Sequence, residues 1–407
     1  MQRRTLLHAG LAGALAGPVG LSASGRLFAA PANGSRLLLV FLRGGYDAAS
    51  LLVPTTSSFY REVRPNIAIP RAADGVRGAL PLTADWGLHP ALESSIYPLA
   101  QKHQACFVPF AGTNDTSRSH FETQDTIELG QADGGRRDFG SGFMNRLAAT
   151  LQGHDAIAFT DQLPLVLRGN VNVANVSLKS VPKPADAKLR QALTSMYQAH
   201  PLESRVAESF EVRDEVAREM TKEMTKEMAG EMQAANRNAI DAKGFEAEAR
   251  RIARLMRDRY ALGFVDVGGW DTHVGQGAAT GYLASRLDEL GRGLAAFADE
   301  IGETAWHDTV VVVVSEFGRT MRENGNRGTD HGHGSVYWVL GGSLAAPPVA
   351  GLQQAIEART LFQNRDLPVL NEYRSMIAGL LARQFDLSAA MLDQVFPGAA
   401  PRDIGLI

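Results

Sequence analysis

Apolar residues recur along this chain in short unbroken runs rather than in alternation. Arg36 to Arg43 reads RLLLVFLR, and Val310 to Val314 is five successive valines. A strand with one wet face alternates apolar and polar side chains, so an unbroken run marks a strand covered on both faces, as in a parallel sheet. Similar runs predict strands at Ala105 to Phe110, Ile157 to Thr160, Leu165 to Leu167, Leu262 to Val267 and Val336 to Leu340. Helical spacing fills the intervals. GLHPAL opens a helix running to about Gln101, another begins near Ser119, a third covers Gly281 to Glu300, and the tail from Leu367 to Phe385 reads as an amphipathic helix closing the flank of the sheet. Strands alternating with helices predict an α/β fold, a mostly parallel sheet with helices on both sides.

One block breaks this rhythm. From about Ala185 to Tyr260 the pattern is almost continuously helical, with Met220, Met224, Met228 and Met232 spaced by four amid Lys and Glu. The block reads as an inserted helical subdomain, about 185–260, and the methionine stripe as a packing seam beneath a solvated charged face. It is also the natural place for a protein partner to dock.

The N-terminus belongs to a different category. Arg3 and Arg4 precede the apolar run LLHAGLAGALAGPVGLSA, and small residues follow at Ala29 and Ala30. That order is the signature of an export signal over residues 1–30, with the arginine pair favouring the twin-arginine route, so the mature chain, 31–407, is expected in the periplasm or otherwise exported. No later segment is long and apolar enough to span a membrane. The single cysteine, Cys106, excludes an intrachain disulfide despite the oxidising compartment. A formal net charge of -3 gives no basic surface for nucleic acid, which is excluded as a partner.

The candidate chemistry lies where the predicted strands end, the edge at which open α/β sheets place their ligands. Asp47 follows the first strand through Gly44 and Gly45. Asp271 and His273 follow Leu262 to Val267, and Glu316 follows the valine strand, with Asp330, His331 and His333 on the glycine-rich loop beyond it. Parallel topology brings these ends to one rim, where unpaired carboxylates repel one another and a bound cation removes the conflict. Imidazole and carboxylate on glycine-rich backbone suit a borderline metal, so one or two zinc or manganese ions are expected, with magnesium and calcium as further candidates. His89, His103, His154 and His307 are read as structural.

The segment NDTSRSHFET adds hydroxyls and a guanidinium. Thr116, Ser117 and Ser119 sit at a predicted helix start, where free N–H groups favour an anion, and Arg118 offers a planar fork for phosphate or sulfate oxygens. A hydroxyl of Ser119 or Thr116, polarised by a divalent ion, is a candidate nucleophile. His120 is open between acid, ligand and structural donor. Equally, Ser119 can be a plain N-cap with Glu122 as its capping-box partner.

Four motifs in this order, RGGYD, SRSHFETQD, GGWDTH, and SEFGRT followed by GTDHGHG, resemble the DUF1501 family of exported proteins, which is similar to the alkaline phosphatase and sulfatase superfamily. The resemblance spans nearly the whole mature chain. It implies an alkaline-phosphatase-like α/β/α sandwich whose strand ends hold two divalent ions and a hydroxyl nucleophile. Asp47 resembles the first aspartate ligand, Ser119 the nucleophile, Asp271 with His273 the paired ligands of one ion, Glu316 the aspartate after the late strand, and His331 or His333 the final histidine. The stretch DTSRSHFE also resembles DTxTGHWE of the superfamily's phosphopentomutases, which moves the nucleophile to Thr116. Two departures stand out. Glu316-Phe317 replaces the usual Asp-His pair, and no Cys-x-Pro-x-Arg surrounds Cys106, which removes formylglycine chemistry.

The reading that follows is a metal-dependent hydrolase of a phosphate or sulfate ester, acting on a small anionic ester or an envelope polymer. A non-catalytic metal-binding scaffold of the envelope and a phosphoryl transferase or mutase are the alternatives. No G-x-G-x-x-G follows the first strand, and neither a P-loop nor a nucleophile elbow occurs, so dinucleotide, nucleotide and serine-esterase chemistry lack a foothold.

Overall fold

The computed structural model describes residues 34–72, 77–132, 136–152, 154–177, 195, 236–237 and 239–407. The expected export signal, the methionine stripe and most of the expected insert lie outside the described residues.

A nine-stranded sheet organises the rest. Its strands are β1 (Arg36–Leu42), β5 (Ala105–Gly112), β6 (Ala156–Ala158), β7 (Ala174–Asn175), β8 (Ile240–Asp241), β9 (Leu262–Gly268), β10 (Thr309–Ser315), β11 (Ser335–Gly341) and β12 (Asn371–Glu372). Their order across the sheet is β12-β5-β11-β10-β1-β9-β6-β7, with β8 paired to β9. A separate three-stranded antiparallel sheet joins β2 (Leu52–Pro54), β4 (Trp86–Leu88) and β3 (Leu80–Pro81).

The unbroken apolar runs behave as the pattern predicts. In β1, Leu38, Val40 and Leu42 enter one core and Leu37, Leu39 and Phe41 the other, and the valines of β10 divide in the same way. Successive side chains of a strand point to opposite faces, so both faces are dry. Helices Phe245–Asp258 and Tyr282–Ile301 cover the first face, and Phe143–Thr150, Tyr373–Gln384 and Ala389–Val395 the second. The result is a three-layer α/β/α arrangement. Helix Phe245–Asp258, the described end of the expected insert, belongs to one of these layers and packs against Tyr282–Ile301.

The sheet is mostly parallel, with an internal reversal. β10 pairs antiparallel with β11, and β11 antiparallel with β5, because the chain after β10 returns through its glycine-rich loop instead of crossing over by a helix. Two reversals leave β5 running the same way as β10. The ends of β1, β5, β9 and β10 therefore meet at one rim. Smaller differences from the pattern are local. Leu165–Leu167 is a 3-10 turn, its Val166 N–H donating to Glu128 Oε2 at 3.0 Å instead of to a neighbouring strand. The stretch from Pro90 to Gln101 is split into a 3-10 turn and a short helix, Ile96–Gln101.

Loop approach at the rim is close. Gly44, just beyond β1, has φ +125, and a Cβ there would stand 2.7 Å from the backbone nitrogen of Asp271. Only glycine accepts both the dihedral and the contact.

Candidate metal centre

Three imidazoles and one carboxylate meet at this rim. His120 is the first residue of helix His120–Leu129 beyond β5, Asp271 and His273 follow β9, and His331 lies on the loop between β10 and β11. His120 Nε2 stands 2.9 Å from His331 Nε2, which is 3.0 Å from His273 Nε2. Asp271 Oδ1 is 3.0 Å from His273 Nε2 and 3.4 Å from His331 Nε2, and its Oδ2 is 3.5 Å from His120 Nε2. Among the described residues, His120, Asp271 and His331 form a group whose ligand atoms lie within 4.8 Å of one another, and His273 extends it.

The outer nitrogen of each ring is held. His120 Nδ1 is 2.8 Å from Glu316 Oε1, His273 Nδ1 3.4 Å from Asp330 Oδ1, and His331 Nδ1 3.1 Å from the carbonyl of Arg118. Each partner is an acceptor, so in a neutral ring each Nδ1 carries the hydrogen and each Nε2 turns a lone pair inward, the arrangement that outer hydrogen bonds impose on metal-ligating histidines. Inward lone pairs at such separations repel unless a shared cation lies between them. A proton or a metal ion satisfies that need, and three nitrogens with one carboxylate are a donor set that fits zinc. Magnesium and calcium take oxygen ligands, so this set fits them less well.

The electrostatics follow the same partition. Burial opposes charge on His120, but hydrogen bonds and charge from Asp271 and Glu316 outweigh it and push its pKa up to about 9. Burial lowers His331, with Arg319 and His120 adding to the effect against Asp271. Burial would raise Glu316, yet the contacts from His120 and Gln124 hold it at about 2. Asp271 also resists its burial and stays far below the ordinary carboxylate range, chiefly through the charge of Arg319.

Several residues expected as ligands or catalysts take other places. Glu316, buried at the end of β10, accepts on Oε1 from Gly44 N–H, His120 and Gln124 Nε2 and on Oε2 from Ser315, and so positions His120 from outside the cluster. Asp330 is half exposed and backs His273 in the same way. Asp47 is fixed by Arg64, with Nη1 on Oδ2 at 2.6 Å and Nη2 on Oδ1 at 3.0 Å. His333 stacks on Phe362 at 4.8 Å, apart from the other imidazoles, and burial followed by the nearby charge of Arg118 pushes it down to about 4.

In the NDTSRSHFET segment, Arg118 donates through Nε and Nη2 to Asp366 Oδ2 at 2.9 and 2.6 Å, so its fork is engaged with a buried carboxylate. Its φ of +56 turns its carbonyl toward His331. Ser119 Oγ accepts from Glu122 N–H at 3.5 Å as an N-cap, and Thr116 is exposed.

Two contributions were not read from the sequence. Arg319, within SEFGRT, donates to Asp271, to the carbonyls of Gly44 and Gly45, and to Thr329 O, tying three loops together. Phe317, where the superfamily resemblance expects a histidine, packs its ring 4.9 Å from His120 and 5.1 Å from His331. The motif marked both positions without indicating their partners.

A family profile described as a protein of unknown function, DUF1501, matches residues 34–396. The solved structure of a protein in the alkaline phosphatase superfamily from Vibrio parahaemolyticus is similar, with a TM-score of 0.39 and 12% identity, over 86% of this chain and 66% of that one. The chain thus spans about two thirds of the length of that structure. No curated protein matches. Among the described residues, no helix is long and apolar enough to cross a membrane.

Proposed function

This chain belongs to the DUF1501 family of proteins of unknown function, and we propose that it acts as a divalent-metal-dependent hydrolase of a phosphate or sulfate ester. The observation that carries the reading is the convergence of His120, His273 and His331 Nε2 on Asp271 with every outer nitrogen held by an acceptor. A divalent ion bound there, zinc or manganese, would supply Lewis acidity toward an ester oxygen and a nearby hydroxyl.

The chain's own groups do the rest. His120, His273, His331 and Asp271 would hold the ion. Glu316, Asp330 and the Arg118 carbonyl fix the ring tautomers. Arg319, buried beside Asp271, adds fixed positive charge that favours an anionic substrate. Ser119 is the nucleophile in this reading. It directly precedes His120, is half-buried, and its capping bond of 3.5 Å is long enough to release. Activity outside the cytoplasm follows from the arginine pair and apolar run of residues 1–30.

The second reading is a metal-binding envelope protein without turnover. It is favoured by the engagement of Arg118 with Asp366 and by the capping role of Ser119. Assay of the zinc- or manganese-loaded protein on an aryl phosphate and an aryl sulfate separates the two. The hydrolase reading expects turnover that a chelator abolishes and that Ser119→Ala reduces far more than Thr116→Ala. Bound metal with no turnover of either ester supports the scaffold.

A further inference from the structure

We infer that this centre holds a single divalent ion per chain, and that the guanidiniums of Arg64 and Arg319 stand where a second ion would otherwise neutralise the rim's carboxylates. The inference rests on the metal-binding reading and fixes its stoichiometry. Of the carboxylates expected as ligands at the rim, Asp47, Asp271, Glu316 and Asp330, the question is which retain a free, inward oxygen.

Asp47 does not. It is 1% exposed, and its two oxygens receive Arg64 Nη1 and Nη2, Ser50 Oγ at 2.7 Å and Gln276 Nε2 at 2.6 Å. A carboxylate accepts at about four lone-pair sites, so four donors, two of them from one guanidinium, leave this one committed to Arg64. Arg64 is equally committed, since its Nε donates to Met321 O and its Nη2 also reaches Thr320 O. Glu316 is engaged on both oxygens as well, with three donors on Oε1 and Ser315 Oγ on Oε2. Asp330 meets the outer nitrogen of His273 and Asn324 Nδ2, on the side of that ring away from the cluster.

Among the described residues, Asp271 alone faces all three inward nitrogens, and Arg319 already occupies part of its Oδ1. Paired ions about 4 Å apart need several anionic ligands to offset their mutual repulsion. One carboxylate shared with an arginine cannot supply that. One ion on three neutral imidazoles and Asp271, beside Arg319, leaves a net positive centre, which suits an incoming anionic oxygen.

The count of bound ions tests this. Full-length, tag-free protein is stripped with a chelator, dialysed against zinc chloride alone, and its metal measured by mass spectrometry against protein concentration. One tightly held zinc per chain is expected. Two tightly held ions would overturn the inference while leaving the metal-binding reading intact, and no bound ion would remove both. Asp47→Asn is expected to keep one ion with affinity within about threefold of the parent, below the roughly tenfold loss that even an outer-shell contact produces. A folded Asp47→Asn protein that loses its zinc would place Asp47 among the ligands and overturn the inference. Should that variant fail to fold, Ser50→Ala, which removes one donor from Asp47, is read in the same way.

Discussion

Asp47 and Asp271 begin from the same position and end in opposite roles. Each is a buried carboxylate just past the end of one of two adjacent parallel strands, β1 and β9. Asp47 is answered by a bidentate arginine, a serine and a glutamine, all of them donors that leave it nothing to share. Asp271 is answered by one arginine and three imidazoles whose inward nitrogens are acceptors, so it remains open to a cation. For Asp47, burial opposes ionisation and the Arg64 charge with its hydrogen bonds prevails, holding the carboxyl below its usual range. A carboxylate at a strand end thus becomes a structural clamp or a ligand according to whether its neighbours donate or accept.

Replacement of Asp271 by Ala should break the contrast most deeply. It removes the only carboxylate among the four inward donors, and the expected outcome is more than about a hundredfold loss of zinc affinity, beyond the range of outer-shell changes. Competition with a fluorescent chelator measures it. On the clamp side, Asp47→Ala leaves Arg64 charged and unpaired in the core and should cost about 3–5 kcal/mol of folding stability, seen as a lower urea midpoint. A loss as small as an exposed ion pair gives would show that the clamp is not buried in solution.

A third variable is pH, acting through the loop that joins the two sites. His89 Nδ1 accepts from Ala91 N–H at 3.0 Å and its Nε2 meets the carbonyl of Ala278, two residues past Gln276. The Nδ1 contact requires the neutral ring, and burial, partly offset by the Ala278 contact, pushes its pKa down to about 4. The unfolded chain therefore binds the extra proton below about pH 6.5 while the folded chain does not, and stability falls as pH drops from about 6.5 to about 4, by about 3 kcal/mol in total. His89→Leu should flatten that part of the pH profile of the urea midpoint. An unchanged slope would assign the acid sensitivity elsewhere.

The smallest effect is expected at Glu316, which acts through His120. Glu316→Gln keeps the shape but weakens the acceptor for Nδ1, and zinc affinity should fall by about 10–100-fold, with the fold intact by circular dichroism. A loss as large as that of Asp271→Ala would make Glu316 a direct ligand.

Much of this was legible without coordinates. The unbroken runs of β1 and β10 gave the doubly covered sheet, because only burial on both faces removes the alternation that a wet face imposes. Strand-end position, together with glycine-rich loops, singled out Asp271, His273 and His331, and the fold brings these three side chains together. Ser119 as an N-cap was also an open reading of the sequence, and its contact with Glu122 bears that out. His120 could not be assigned, since whether a histidine ligates depends on what its other nitrogen meets, and Glu316 lies 196 residues away in the chain.

The sequence by itself determined which segments would be buried strands and that their polar ends would carry carboxylates and imidazoles, because periodicity and residue type are local properties. Tertiary structure alone decided which of those groups face one another. The reversal through β11 aligned the end of β5 with those of β1, β9 and β10, and the long reach of Arg64 and Arg319 chose which carboxylates to neutralise. A side chain's chemistry is written in its own residue, but whether it acts as ligand, brace or clamp is set by partners that folding brings from elsewhere in the chain.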